Sequence, residues 1–210
     1  MHKETPPKVK TGHDKCAEDY DSLSRQFECY TSEIIFGMVF EYADIGDKLL
    51  DLGIGTGLSS FHFQKADLEI YGLDNSEEML NICRKKGISH HLKLFDLNEN
   101  ILPYGDHTFD HVIAVGLFHF FKDLEKFFRE SHRILKEEGT FAFIVKDSKT
   151  RISSDINKEY DIAVYGHSDE YIEELIQKYN FNSLKRLKFL TFRDLSKKSF
   201  SCFKAYVLMK

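Results

Sequence analysis

Leu49-Leu50-Asp51-Leu52 reads as a short buried strand, and Gly53-Ile54-Gly55-Thr56-Gly57 follows it directly. Three glycines at alternate positions mark a tight turn, in which the backbone can take conformations closed to other residues. Such a turn lets the main chain pass close to a ligand and aims the amides of the following helix at it. A strand that ends in an acid and a glycine triplet therefore points to a parallel α/β sheet with a nucleoside at its carboxyl edge. A tight turn with no ligand would carry the same glycines, so the rest of the chain has to decide.

Helical and strand patterns alternate along the sequence, which implies a mostly parallel sheet flanked by helices. The expected architecture is a Rossmann-like, doubly wound α/β sheet of seven strands that ends in an antiparallel hairpin. Strands are expected over 48–52, 68–73, 92–95, 109–115 and 140–146. Two later β-rich runs, 184–192 and 200–208, are joined by a link too short for a helical crossover and so must pair antiparallel. Ser76 and Ser168 are expected N-caps, and Glu77 and Glu78 suit the positive first turn of the helix that Gly87 closes. The chain is read as one domain over 1–210. It comprises a loose arm (1–15), an N-terminal helical cap (14–45), a cofactor-binding half (46–146) and a last part (147–210). That last part holds an irregular lid loop over 147–167, then a helix and the hairpin.

Bulk properties narrow the function. A net charge of -5 argues against nucleic acid as the main partner. The late basic residues Lys185, Arg186, Lys188, Arg193, Lys197 and Lys198 read as a solvated sheet edge. Cys16, Cys29, Cys83 and Cys202 form no C-x-x-C pair, which suits a reducing cytoplasm and no metal site. No leader and no membrane-length apolar run is recognisable, so a cytoplasmic location without a membrane partner is expected. Oligomeric state stays open.

The glycine spacing selects the nucleoside. A dinucleotide fingerprint would place its third glycine where Leu58 stands. Asp51-x-Gly53-x-Gly55-x-Gly57 instead resembles the first motif of the class I S-adenosylmethionine-dependent methyltransferases. Asp74-x-Ser76-x-x-Met79-Leu80 resembles the second. Segments 102–110, 115–120 and 133–140 resemble the family's lead into strand four, its exit from that strand and its turn into strand five. The likeness covers roughly 45–146 and is nearest to the small-molecule branch that includes ubiquinone- and menaquinone-biosynthesis-like enzymes. It implies S-adenosyl-L-methionine as cofactor. Asp51 would then sit near the cofactor's ammonium, and the amides of Gly53, Gly55 and Gly57 would face its carboxylate. Asp74 would accept both ribose hydroxyls, with Asn75 beside the adenosine and Met79 against the adenine face. Asp96 would take the exocyclic amino group, the amide of Leu97 a ring nitrogen, and Val115 would complete the wall.

The acceptor should lie beyond strand four. His119 is the best candidate base there, since imidazole titrates near neutrality. Phe118, Phe120 and Phe121 are candidate walls of an apolar pocket, and Tyr20, Tyr30, Tyr160, Tyr165 and His167 are further pocket candidates. Gly116-Leu117-Phe118-His119 stands where enzymes acting on exocyclic base nitrogens resemble N-P-P-Y, which removes that substrate class. The expected function is methyl transfer to a small molecule by direct in-line displacement. A cofactor-binding protein without turnover and a nicotinamide-dependent oxidoreductase remain as alternatives.

Overall fold

A computed structural model describes residues 18–157, 162–192 and 195–210. Seven strands form its main sheet: β1 (Lys48–Leu52), β2 (Glu69–Asp74), β3 (His91–Leu94), β4 (Phe109–Ala114), β5 (Leu135–Lys146), β8 (Asn182–Phe192) and β9 (Phe200–Met209). Their order is β3-β2-β1-β4-β5-β9-β8. The first five pair in parallel, and β9 runs antiparallel between β5 and β8. The order reverses between β1 and β4, so a crevice opens at their carboxyl ends.

Alternation along the strands separates two apolar layers. Leu50, Leu52, Val112, Ala114, Phe141 and Phe143 belong to one, and Leu49, Ile113, Ala142 and Ile144 to the other. Strands buried on both faces leave only their ends for chemistry. Helices α1 (Tyr20–Gln26), α2 (Thr31–Val39), α3 (Phe61–Lys65), α4 (Glu77–Lys85), α5 (Glu125–Ile134) and α6 (Asp169–Lys178) surround the sheet. Ser76 caps α4 by accepting the Met79 amide, and Ser168 caps α6 by accepting that of Tyr171, each at 3.2 Å.

Three local expectations change. The segment 147–167 contains a two-stranded hairpin of its own, β6 (Ile152–Asn157) and β7 (Ile162–His167), rather than an irregular loop. The turn at Lys136–Gly139 is a bulge inside β5: Phe109 pairs with Leu135, but His111 pairs with Thr140. The helix after the glycine loop is only one short turn region, α3, because the chain first makes a series of turns from Gly53 onward. Among the late basic residues, Lys185 pairs with Glu41, Arg186 with Glu173, Lys188 with Asp147 and Lys197 with Glu28. Acids from other segments thus neutralise most of that edge, and Arg193 lies outside the described residues.

Candidate active site

The glycine loop is shaped by its first strand. Gly53, Gly55 and Gly57 have φ of 73°, 54° and 84°, a left-handed region that a side chain makes costly. The amides of Gly53 and Ile54 both donate to the Leu73 carbonyl, at 2.8 and 3.0 Å, which bends the loop over the end of β2. A glycine within β2 permits this: a Cβ on Gly72 would lie 2.6 Å from the Ile54 side chain. Asp74, the last residue of β2, then accepts the Gly55 amide on one oxygen and the Ser76 amide on the other, each at 2.9 Å.

A cavity of about 310 Å³ opens at this point. Its wall includes Gly53, Gly55, Asp74, Asn75, Met79, Asp96, Leu97 and Val115 of the residues expected around a cofactor, and Tyr20 and Phe120 of those expected around an acceptor. A Cβ on Gly55 would meet nothing closer than 4.0 Å, so the space above that amide is clear of protein. Asp96 is exposed at the end of β3 and accepts the main-chain and side-chain N–H groups of Asn98, each at 2.9 Å. An acid able to accept from hydroxyls, a second able to accept from an amino group, a bare main-chain loop and a thioether in one wall are a donor set that suits an adenosyl group.

Several expected residues lie elsewhere. Asp51 is fully buried behind the loop and does not line the cavity: one oxygen accepts the Ser60 hydroxyl at 2.8 Å, and the other has no partner. Burial raises its carboxyl to about 8, so near neutrality the protonated form prevails and no direct ion pair with an ammonium is built here. Gly57 also leaves the wall, since a Cβ on it would lie 2.8 Å from Cys83 Sγ and 3.0 Å from Ile88. Its absent side chain serves packing.

Phe118 is fully buried, its ring centroid 5.0 Å from that of Phe127 and 5.4 Å from that of Phe143. Burying a phenyl group contributes about 1.5–3 kcal/mol, so the core claims this ring and leaves Phe120 and Phe121 to the cavity. His119 turns its ring against Phe120, with centroids 4.0 Å apart, and is not in the wall. Tyr30 is 59% exposed at the start of α2 and is likewise outside it. His167 is buried: Nε2 donates to the Lys122 carbonyl at 3.3 Å, the ring stacks on Tyr171, and burial lowers its pKa. It fastens β7 to the segment after Phe121 and lies outside the cavity wall. Tyr165 lines an adjoining hollow, and Tyr160 lies outside the described residues.

Residues from distant segments complete the wall. Ser24 and Thr31 come from the N-terminal helices and Cys29 from the link between them, Leu58 and Ser59 from the turns before α3, and Ile162 from β7. Asn98 alone had a local signal, as the second residue after a strand-end acid. The N-terminal helix α1 is clamped over the glycine loop. Thr56 Oγ1 donates to Asp21 at 2.6 Å, and Lys86 pairs with Asp21 while donating to the Thr56 carbonyl at 3.0 Å. Among the described residues no group of three or more His, Cys, Asp or Glu could hold a metal, and Cys29, Cys83 and Cys202 are free thiols. No helix among them is long and apolar enough to cross a membrane.

A doubly wound sheet with a glycine loop after β1 and an acid ending β2 defines a nucleoside-binding α/β protein. Comparison with known proteins places it further. Residues 50–143 match the methyltransferase domain family. The chain is 33% identical over 137 residues to a demethylmenaquinone methyltransferase of Thermotoga maritima, covering 62% of this chain and 58% of that one. It is 27% identical over 144 residues to the biotin biosynthesis bifunctional protein BioHC of Saccharophagus degradans, covering 67% of this chain and 25% of that one. A putative methyltransferase of Haloferax volcanii, solved in complex with the activator Trm112, superposes with a TM-score of 0.73 at 18% identity, covering 95% of this chain and 99% of that chain. The chain thus spans 25% to 58% of the length of these two curated relatives. These matches support a class I S-adenosylmethionine-dependent methyltransferase domain around residues 50–143, and they imply S-adenosylmethionine as its cofactor. The nicotinamide alternative is set aside by this family match.

Proposed function

We propose that the chain transfers the methyl group of S-adenosylmethionine to a small-molecule acceptor. The observation that carries this reading is the coupling of Asp74 to Gly55 at the edge of a clear cavity, with Asp96 across it. Asp74 accepts the ribose hydroxyls, Asp96 and the Leu97 amide read the adenine edge, and Met79 packs against its face. Gly53 and Gly55 leave their main chain bare toward the amino-acid tail. Asp51 acts from behind the loop, holding Ser60 and so the loop's far end. When bound, the cofactor supplies a methyl group on a positively charged sulfur, already activated for attack. Phe120, Phe121 and Ile162 exclude water and hold the acceptor in line. Alignment of this kind is worth roughly 7–11 kcal/mol in well-oriented systems, so orientation is the main contribution asked of the protein. A general base is needed only when the acceptor must lose a proton. Among the described residues no His lines the cavity, and His119 sets its ring against Phe120.

Two measurements test this. Incubation with methyl-labelled cofactor and a cell extract should move label into a small-molecule fraction. Tight cofactor binding with persistent failure to transfer label would favour a binding protein without turnover. The second concerns His119: the His119→Ala variant should keep its turnover number within about threefold, since general-base removal ordinarily costs about 10²–10⁴. A loss in that larger range would return His119 to the chemistry.

A further inference from the structure

A second hollow of about 440 Å³ adjoins the cofactor cavity and shares Asn98, Phe120 and Phe121 with it. The two therefore meet across the aromatic wall where the proposed function puts the acceptor. The charges of this hollow run against those of the chain. Three cations line it, Lys122, Lys126 and Arg129, in a protein whose net charge is -5.

The acids in the same hollow are already engaged. Glu125 Oε1 accepts the Tyr179 hydroxyl at 2.9 Å and pairs with Lys178. Asp123 Oδ1 accepts the Glu125 amide at 2.8 Å and the Tyr171 hydroxyl at 3.0 Å. The cations are not matched in this way. Among the described residues Lys122 pairs with no carboxylate. Lys126 donates to the main-chain carbonyl of Leu97, and its ammonium stands 5.1 and 5.0 Å from the ring centres of Phe121 and Phe127. Burial lowers its pKa, against the opposing pull of Asp96, Asp123 and Glu99. Arg129 donates to the Asn100 carbonyl at 2.8 Å. Its ion pair with Glu130 is 3.7 Å long, because Arg133 holds that carboxylate at 2.7 Å. Ammonium and guanidinium groups served by carbonyls and rings retain most of their attraction for an anion.

We propose that this hollow holds the anionic head, a carboxylate or a phosphate, of an amphipathic acceptor whose apolar body lies along Phe120 and Phe121 into the cofactor cavity. The proposal rests on the methyl-transfer reading of that cavity. Lys122 and Arg129 attract the head from the rim, and Lys126 meets it where the aromatic wall begins. Tyr165 lines the same hollow from β7.

The test separates the two readings. Calorimetry on the full chain first measures the affinity for S-adenosylhomocysteine; failure to bind it would count against the methyltransferase reading itself. With that cofactor product bound, phenylbutanoate, phenylpropyl phosphate and neutral phenylbutanamide are then titrated. At least one anion should bind about tenfold or more tightly than the amide, the scale of one charged hydrogen bond. The stronger of the two anions identifies the head group. Its advantage should shrink with added salt and disappear in the Lys122→Gln/Arg129→Gln variant, whose affinity for S-adenosylhomocysteine should not change. Equal binding of anion and amide, an advantage that survives in the variant, or no binding of any of the three would overturn the proposal.

Discussion

Asp74 holds two main-chain amides of its own protein, those of Gly55 and Ser76, and still faces the cavity. One carboxylate therefore fixes the glycine loop, starts α4 and stands ready for a ligand. Asp74→Ala removes all three services, and calorimetry should show cofactor affinity lowered by about a hundredfold or more, the loss of two charged hydrogen bonds. Unchanged affinity would contradict the placement of the ribose. Asp51 is the opposite case, an acid held neutral. Burial lifts its carboxyl from 3.8 to about 8, so the folded state favours the protonated form. Its contribution to stability is present below about pH 4 and is lost as pH rises through about 8. Asp51→Asn cannot ionise. Urea midpoints across that range should fall for the parent relative to this variant, and parallel curves would refute the assignment. Both acids stood out in the sequence because Asp74 ends its strand and Asp51 stands one residue before the end of its own. Their different states depend on burial, which the sequence around them does not encode.

The glycine loop shows two neighbouring glycines kept for different reasons. Gly57→Ala would force a Cβ to 2.8 Å from Cys83 Sγ. It should destabilise the fold by roughly 1–3 kcal/mol while leaving cofactor affinity in the folded fraction unchanged. Gly55→Ala meets no obstacle, so it should cost only about 1–2 kcal/mol of backbone strain, yet weaken cofactor binding. Thermal melts and calorimetry on both variants check this crossed pattern. The clamp on α1 gives a third expectation at this scale. Lys86→Ala removes the ion pair to Asp21 and the bond to the Thr56 carbonyl, so limited proteolysis should cut after α1 faster than in the parent. The glycine loop and the two helix caps were legible because each is written in a few consecutive residues. The β6–β7 hairpin was not: Ile152-Ser153-Ser154-Asp155-Ile156-Asn157 is a polar run with little apolar alternation. Phe118, Phe120 and Phe121 posed a similar difficulty, since a single tight turn has no period that tells core from wall.

Across the whole molecule, the cofactor half is local and the acceptor half is not. Strand-end acids, glycines and caps recur between Lys48 and Lys146, and the sheet order brings them to one edge. The rest of the wall arrives from the first helices and from β7, regions separated by more than a hundred residues of chain, and no short pattern announces that meeting. The same division explains why His167, although aromatic and late in the chain, fastens β7 instead of facing the cavity. The bond from the Gly55 amide to Asp74 joins the ends of two adjacent strands into one mechanical part. Evolution or engineering that retunes the sugar grip must then retune the tail cradle with it. Libraries that vary position 74 alone should return few active clones, whereas joint variation with the turn around position 55 should recover new nucleoside preferences.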